Sequence, residues 1–394
     1  MTWLDSRGKR QAERITVETG EHVSAKHVAA KALWLKENET EAFKKADKFV
    51  DCGAFLITKM TGNFAWGFWN ASWFGYDEQT RSWKFEDYGL AGDKLPMPIP
   101  TTGQAGETTN PAARQMGVRR GIPVIAGGSD VVAAYVGSGA IRPGSAHVYL
   151  GSSSWICLSS NSPVTPDESA DFIIGRPFQH WVNIGESESA CSCIDWLGQQ
   201  LGILSATPSE TEYLTMQKMA HEVSPGSGRL IFLPWMKGER APIKDNNARG
   251  AFIGLTLSHT RQHMVRSIME GVAYNNRWTL EKLESLAAVR ISSLRAIGGG
   301  FRSRVWAQIL ADVMRKSVKV LEHPQYAGGV GAALIAALGV RAYKDIKELQ
   351  DLTPVSFDFR PRESVSRIYD KLFTDFKQSY LKPLSDVYSC WGPA

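Results

Sequence analysis

Cysteine is scarce in this chain, with five residues among 394. An odd and widely scattered set gives no disulfide framework of the kind that staples small extracellular domains. Cys191 and Cys193 are separated by a single residue, which is closer than the spacing usual in zinc knuckles. Reduced, buried thiols are therefore the favoured interpretation, and a metal site at this pair is the alternative.

Long apolar runs and blocks of one charge are also missing. No stretch approaches the ~20 apolar residues that are needed to cross a bilayer, and no signal peptide opens the chain. The 45 basic and 40 acidic residues are spread along the whole length and give a net charge of +5. We therefore expect a cytoplasmic protein with no membrane or nucleic-acid partner, and a cleft for a phosphorylated ligand is compatible with this charge.

The length and the turn signals predict two domains. A chain of this size suits two cores of roughly 150 to 200 residues each. The turn Arg142-Pro143-Gly144 separates a helical stretch from a new hairpin. We place the domain boundary there, which gives domains 1–144 and 145–394.

The periodicity of the apolar residues predicts an α/β protein. Residues 22–48 have helical spacing. Residues 147–150 and 155–158 alternate like the two strands of a hairpin, and residues 181–184 could add a third strand. Beyond residue 230, strands and helices alternate, which predicts a mixed sheet flanked by helices. Four tryptophans between residues 63 and 105 favour core packing over stacking on a sugar ring.

Asp130 is the candidate catalytic residue. The segment Ala126-Gly127-Gly128-Ser129-Asp130 runs from a strand through two glycines into the first turn of a helix. Ligands of α/β proteins bind at such strand ends. From this segment alone, capping of the helix is the favoured role of Asp130, and a general base held ionised by the helix is the alternative.

Two turns are candidates for binding phosphate or nucleotide. The hairpin turn contains Gly151, Ser152 and Ser153, whose backbone N–H groups and hydroxyls could cradle phosphate oxygens. A second turn follows a strand and contains Gly298, Gly299 and Gly300, with Ser303 opening the next helix. Three glycines allow a ligand to approach the backbone beside the positive end of a helix. An ordinary turn without a ligand is the alternative at both places.

A third motif, Gly238-Glu239-Arg240-Ala241-Pro242, predicts a locked loop near the nucleotide side. We expect the charges of Glu239 and Arg240 to satisfy each other, so that the role of the loop is structural. The chain has no P-loop and no dinucleotide-binding glycine pattern, which disfavours a P-loop kinase or a dehydrogenase.

Taken in order, these motifs resemble those of the FGGY carbohydrate kinases, most closely xylulose kinases. Trp3-Leu4-Asp5-Ser6-Arg7 is similar to the family's Trp-x-Asp-x-Arg, and Lys59-Met60-Thr61-Gly62 to its Lys/Arg-Leu-Thr-Gly. Gly128-Ser129-Asp130 matches the Gly-x-Asp that carries the family's catalytic base. The turns at 151–153 and 298–300, and the motif at 238–242, match further family segments. The resemblance runs from Trp3 to about residue 337.

The resemblance implies a two-domain actin-like (ribonuclease H-like) ATPase fold of the α/β class. It implies ATP-dependent phosphorylation of a small sugar or polyol, such as the pentulose xylulose, with ATP and Mg²⁺ as cofactors. Asp130 becomes both base and cap, the ligands of the metal stay unassigned, and a homodimer stays open. The resemblance assigns four residues to sugar binding: Trp3, Asp5, Arg7 and Asp130. It assigns seven residues to ATP binding: Gly151, Ser152, Ser153, Gly298, Gly299, Gly300 and Ser303.

The family's opening hairpin, with its Asp-x-Gly-Thr phosphate loop, does not precede Met1. We therefore expect the first domain to be truncated at its N-terminus and to lack part of the family's N-terminal segment. The alternative function is a catalytically inactive, actin-like nucleotide-binding remnant of a sugar kinase.

Overall fold

The computed structural model describes the chain apart from residues 3–4, 21–22, 26, 79, 84–91, 166–168, 381–383 and 385–394. The described residues form two compact units. Unit 1 comprises residues 1–133 and 332–345, and unit 2 comprises residues 134–331 and 346–394. Two of the three boundaries fall inside helices, α7 (Asp130–Ser138) and α12 (Ala327–Gly339), and the third falls between residues 345 and 346.

Unit 1 combines short helices with two-stranded sheets. Its helices are α1 (Lys9–Thr19), α2 (Val28–Asn38), α3 (Thr40–Lys45), α4 (Cys52–Thr61), α5 (Phe68–Trp73) and α6 (Asn110–Met116). Its strands are β1 (Ala65–Gly67), β2 (Tyr76–Asp77), β3 (Ser82–Trp83), β4 (Met97–Ile99), β5 (Gln104–Glu107) and β6 (Pro123–Ile125). Strands β1 and β4 pair in parallel, whereas β2 with β3 and β5 with β6 pair antiparallel.

The range 22–48, predicted to be helical, contains two helices. Helix α2 ends at Asn38, the φ of −125° and ψ of 48° at Glu39 leave the helical region, and α3 begins at Thr40. The sequence pattern also missed α1, in which only Gln11, Ala12 and Ile15 are buried. Most residues of α1 are polar, and its buried residues Ala12 and Ile15 belong to the same apolar cluster as the buried residues of α2, whose packing stabilises it.

Unit 2 contains one mixed sheet of seven strands among the described residues. The strands of unit 2 are β7 (Ala146–Leu150), β8 (Ser154–Ser160), β9 (Phe172–Gly175), β10 (Trp181–Ser187), β11 (Ile231–Leu233), β12 (Ala251–Ile253), β13 (Ser293–Ile297), β14 (Ser317–Leu321) and β15 (Val355–Phe359). The helices are α8 (Cys191–Gln200), α9 (Glu210–His221), α10 (Arg261–Leu286), α11 (Arg304–Met314) and α13 (Glu363–Ser379). Short 3₁₀ turns cover Ser227–Arg229, Gly299–Arg302, Pro324–Tyr326 and Ile346–Leu352.

The strand order of the large sheet is β15-β14-β13-β7-β8-β10-β9, and β11 pairs with β12 outside it. Strands β7, β13 and β14 are parallel neighbours, so their carboxyl ends meet at one edge of the sheet. Strand β8 returns antiparallel to β7, which confirms the predicted hairpin, and β10 confirms the third strand. The predicted mixed sheet flanked by helices is therefore confirmed.

Helix α10 forms the centre of the core of unit 2. Its 26 residues include Val265, Ile268, Met269 and Val272, which are at most 2% exposed. Such apolar burial is the main stabilising term of a core, at roughly 25 cal/mol per Å². Arg266 and Glu270 form an ion pair inside this core, with 2.6 Å between Nε and Oε1.

The cysteines that the structure describes are all free thiols. Cys157 and Cys193 are buried, as predicted, but Cys52 is exposed and Cys191 is partly exposed. Burial raises the pKa of the Cys193 thiol far above its usual range. Within the described residues, no helix has the length and apolarity that a membrane span requires.

Candidate functional site

The backbone leading into Asp130 is fixed by close packing within unit 1. Gly127 has a φ of 68°, a left-handed conformation that glycine adopts without steric cost. Its N–H donates to the carbonyl of Thr101 at 2.9 Å. A Cβ added to Gly67 would lie 2.2 Å from the carbonyl oxygen of Gly127, so this contact excludes any side chain. The loop before α7 is thereby held in one course, and Asp130 follows it.

The indole of Trp69 holds the residue next to Asp130. Its Nε1 donates to Ser129 Oγ at 2.9 Å, and the side chain of Trp69 is only 5% exposed. Trp66 is buried as well, whereas Trp73 is 41% exposed. Core packing therefore describes Trp66 and Trp69, and Trp69 also supports the candidate catalytic loop. Sequence reasoning missed this support, because nothing in the spacing of residues 69 and 129 indicates contact.

The carboxylate of Asp130 is exposed and already serves the helix that it begins. Its Oδ1 accepts a hydrogen bond from the N–H of Val131 at 2.9 Å. That N–H is one of the four that lack a partner inside the helix, so Asp130 satisfies an end group as the capping interpretation predicts. The helix N-terminus stabilises a negative charge at this position. An exposed carboxylate can accept this bond with one oxygen and still take a proton from a ligand at the other, so the two roles of Asp130 are compatible.

Asp5 and Arg7 form a pair near the start of unit 1. Arg7 Nη2 donates to Asp5 Oδ2 at 2.7 Å, and the guanidinium lies 4.3 Å from the centre of the Trp34 ring. The hydrogen bond from Arg7 lowers the pKa of Asp5 to about 2, so its carboxylate is ionised at neutral pH. Each charge thus has a partner before any ligand arrives.

The predicted sugar-side residues are only partly described. Trp3 lies outside the described residues. In the described part of unit 1, no hydrogen bond or ion pair joins Asp5 or Arg7 to Asp130. The assignment of Asp5 and Arg7 to the sugar therefore stays a prediction.

The turn between β7 and β8 presents backbone donors outward. The carbonyls of Gly151 and Ser152 accept hydrogen bonds from the first N–H groups of helix α8, at 2.9 Å from Cys191 and 2.8 Å from Ala190. The peptide bonds of the turn are trans, so the N–H groups of Ser152 and Ser153 point away from the helix. Neither these N–H groups nor the two serine hydroxyls have a partner within the described residues. Such a turn can accept an anion.

The glycine turn after β13 packs directly on the end of β7. Gly298 has a φ of 102°, and a Cβ there would lie 2.4 Å from the carbonyl oxygen of Leu150. A Cβ on Gly300 would lie 2.6 Å from Leu150 Cγ and 2.9 Å from Cys191 Sγ. Gly299 is different, because a Cβ there would meet nothing within 4 Å. Two of the glycines therefore serve packing, and the middle one borders open space.

The structure thus brings the two predicted nucleotide turns together at one sheet edge. Leu150, the residue before the Gly151 turn, is the residue on which Gly298 and Gly300 pack. A third turn joins them, since the N–H of Gly298 donates to the carbonyl of Pro324 at 2.7 Å. Sequence reasoning missed Pro324, whose turn follows the neighbouring strand β14.

Ser303 acts as the N-cap of helix α11. Its Oγ accepts from the N–H of Trp306 at 3.2 Å, and the residue is 6% exposed. A hydroxyl can accept this bond and still donate its proton. The predicted role of Ser303 toward adenosine stays a prediction, and its local role is capping.

The described residues fit a nucleotide better than an isolated metal ion. The outward N–H groups at Ser152 and Ser153 suit phosphate oxygens, and the open side of Gly299 leaves room for a ligand against the backbone. No group of three or more His, Cys, Asp or Glu side chains in the described ranges could hold a metal. Mg²⁺ is commonly bound by one or two carboxylates together with substrate phosphates. The protein ligands of such a metal remain unassigned.

The predicted pairing of Glu239 with Arg240 is wrong. Arg240 binds Glu186 at 2.6 Å and Glu188 at 2.8 Å. Glu239 is 1% exposed and accepts from Ser187 Oγ at 2.7 Å and from the N–H of Glu188 at 3.0 Å. Burial raises the pKa of Glu239 to about 8, and these hydrogen bonds oppose the shift. Glu239 and Arg240 do not pair because they are adjacent in a tight loop, where their side chains contact different neighbours.

Comparison with known proteins gives two family matches in chain order. The model of the N-terminal domain of the FGGY family of carbohydrate kinases matches residues 2–137. The model of the C-terminal domain of the same family matches residues 146–340. The predicted loss of the family's N-terminal segment is not supported, because the N-terminal domain is matched from residue 2.

Individual relatives agree with these matches. The chain is 27% identical over 397 residues to the gluconokinase of Bacillus subtilis (strain 168), which covers 95% of this chain and 76% of the relative. It is 28% identical over 375 residues to the xylulose kinase of Escherichia coli (strain K12), which covers 90% and 75%. The crystal structure of a xyloylose kinase from Brucella ovis matches with a TM-score of 0.82 and 25% identity, covering 96% of this chain and 78% of that one.

Proposed function

The chain belongs to the FGGY family of carbohydrate kinases, and on that premise we propose that it transfers the terminal phosphoryl group of ATP to a pentulose such as xylulose. Similarity to proteins named xylulose kinase supports this substrate class. The similarity to gluconokinases makes gluconate the second candidate acceptor. Sugar kinases of this family use ATP, usually with Mg²⁺.

One observation carries the nucleotide part of the proposal. The turns containing Gly151 and Gly298 follow adjacent parallel strands and pack against each other through Leu150. In our proposal, the N–H groups of Ser152 and Ser153 hold phosphate oxygens, while Gly299, Gly300 and Ser303 border the adenosine. Ligands of α/β sheets bind at the carboxyl ends of strands, which is where these turns lie. We accordingly assign residues 145–394 to nucleotide binding and residues 1–144 to the sugar.

Asp130 is the proposed general base. Its carboxylate takes the proton of the acceptor hydroxyl as that oxygen bonds to the terminal phosphorus of ATP and the bond to the ADP oxygen breaks. The fixed loop before α7 and the bond from Trp69 to Ser129 hold the backbone next to Asp130 in place. Mg²⁺ on the phosphates would offset the negative charge of the transferred group. Trp3, Asp5 and Arg7 are proposed to lie toward the sugar.

Substrate-dependent release of ADP tests the function. The purified chain is mixed with ATP and Mg²⁺ and with xylulose, ribulose, glycerol or gluconate in turn. We expect the highest kcat/KM with a pentulose. A higher kcat/KM with gluconate would mean that gluconate, and not a pentulose, is the acceptor. Binding of ATP without turnover of any acceptor would favour the inactive nucleotide-binding remnant instead.

Replacement of Asp130 tests the mechanism. Asp130→Asn retains an oxygen for the bond from Val131 N–H but cannot accept the proton, so kcat should fall by about 10² or more. Asp77→Asn is the control, because Asp77 also accepts a backbone N–H, from Thr80 at 3.1 Å. We expect Asp77→Asn to turn over like the unchanged chain. Near-normal turnover by Asp130→Asn would leave Asp130 with a capping role alone.

A further inference from the structure

The segment before helix α8 contacts the proposed phosphate turn at several points. Ala190 N–H donates to the Ser152 carbonyl at 2.8 Å, and Cys191 N–H donates to the Gly151 carbonyl at 2.9 Å. Ser192 adds two bonds to the Ser152 carbonyl, from its N–H at 3.3 Å and from its Oγ at 2.8 Å. The positive end of a ten-residue helix is therefore occupied by the turn itself.

This arrangement decides which way the turn's own donors point. In a trans peptide the carbonyl and the following N–H point in opposite directions. Three donors converge on the Ser152 carbonyl, so they fix the peptide unit that contains the N–H of Ser153. The bond from Cys191 fixes the preceding unit, which contains the N–H of Ser152. Rotation of either unit would break hydrogen bonds to α8 and turn a phosphate donor inward.

The segment itself is anchored from the interior. Buried Glu239 accepts from the N–H of Glu188 at 3.0 Å and from Ser187 Oγ at 2.7 Å, and Asn275 Nδ2 donates to Glu239 at 3.0 Å. Glu188, which is bonded to Glu239, lies only two positions before Ala190, which is bonded to the phosphate turn. The Gly238–Pro242 motif therefore supports the nucleotide side through a defined chain of contacts.

We infer that Ser192 is a positioning residue for phosphate binding, which acts by holding the Ser152 carbonyl so that the N–H groups of Ser152 and Ser153 face the phosphates of ATP. This inference rests on the proposed function of the Gly151–Ser153 turn. Ser192 touches the turn through a carbonyl and has no role in contacting the phosphates. Its effect should therefore depend on whether the ligand carries phosphate.

Calorimetry with ATP and with adenosine on the full chain tests this role. Ser192→Ala removes the hydrogen bond from the hydroxyl but keeps those from the backbone. Loss of a single hydrogen bond of this kind should weaken ATP binding roughly threefold to tenfold. We expect ATP affinity to fall by that factor and adenosine affinity to stay unchanged. Ser192→Thr keeps a hydroxyl and should restore ATP affinity.

Ser379→Ala is the matched control. Its Oγ donates to a backbone carbonyl, that of Asp375, at the same 2.8 Å, but it lies at the end of α13. This variant should bind both ligands normally. Unchanged ATP affinity in folded Ser192→Ala, or an equal loss for ATP and adenosine, would overturn the positioning role. If the unchanged chain bound ATP no better than adenosine, the proposed phosphate turn itself would be wrong.

Discussion

The glycine turn after β13 offers a substitution that should affect the ligand and spare the fold. Gly299 is exposed, and a Cβ built there meets no atom within 4 Å. Valine at this position should therefore change the free energy of unfolding by less than about 1 kcal/mol, as is usual for surface substitutions. The same open space is where the nucleotide is proposed to lie. The branched side chain would hold a ligand away from the backbone.

The neighbouring glycine supplies the contrast. A Cβ on Gly300 would lie 2.6 Å from Leu150 Cγ and 2.7 Å from its Cδ2. Leu150 is fully buried and cannot move aside freely. Overpacking of this kind costs about 1–3 kcal/mol, so Gly300→Ala should lower the melting temperature measurably while Gly299→Val should not.

Thermal unfolding and calorimetric titration with ATP separate the two effects. We expect Gly299→Val to weaken ATP binding at least tenfold, which corresponds to about 1.4 kcal/mol. Gly299→Ala should have an intermediate effect, because its methyl group intrudes less. A folded Gly299→Val variant with unchanged ATP affinity would refute the assignment of this turn to the nucleotide.

Two further predictions concern buried groups of unit 2. Burial lowers the pKa of His147 from 6.5 to about 3, so the folded state holds a neutral imidazole while the unfolded chain binds a proton below pH 6.5. The stability that neutral His147 contributes is present above pH 6.5 and is lost as the pH falls toward 3, and the loss is about 1.4 kcal/mol at pH 5.5. Denaturant titrations at pH 7.5 and 5.5 should show this difference in the free energy of unfolding. The difference should be smaller in His147→Gln. Glu270→Ala would leave Arg266, which is 4% exposed, without its carboxylate, and should lower the free energy of unfolding by about 3–5 kcal/mol. A loss below 1 kcal/mol in the same titration would contradict that reasoning.

Local sequence patterns determined much of unit 2. Alternating apolar residues predicted the hairpin of β7 and β8, and the pattern beyond residue 230 predicted alternating strands and helices, because burial of one face repeats with the period of the element. The order of short motifs indicated the family and hence the candidate residues Asp130, Gly151 and Gly298. The residues within each hairpin, helix or motif lie within a few positions of one another in the chain, where sequence spacing maps directly onto geometry.

Only the tertiary structure decided which of these residues meet. The contact of Gly298 and Gly300 with Leu150 spans about 150 positions, and it depends on β13 pairing in parallel with β7. The bond from Trp69 to Ser129 and the partners of Glu239 are likewise long-range. Such contacts form when whole helices and strands pack together, and a local sequence pattern does not indicate which residues of two distant elements will face each other. The sequence therefore predicted the pieces of the nucleotide side, and the sheet topology decided that two glycine turns form one surface.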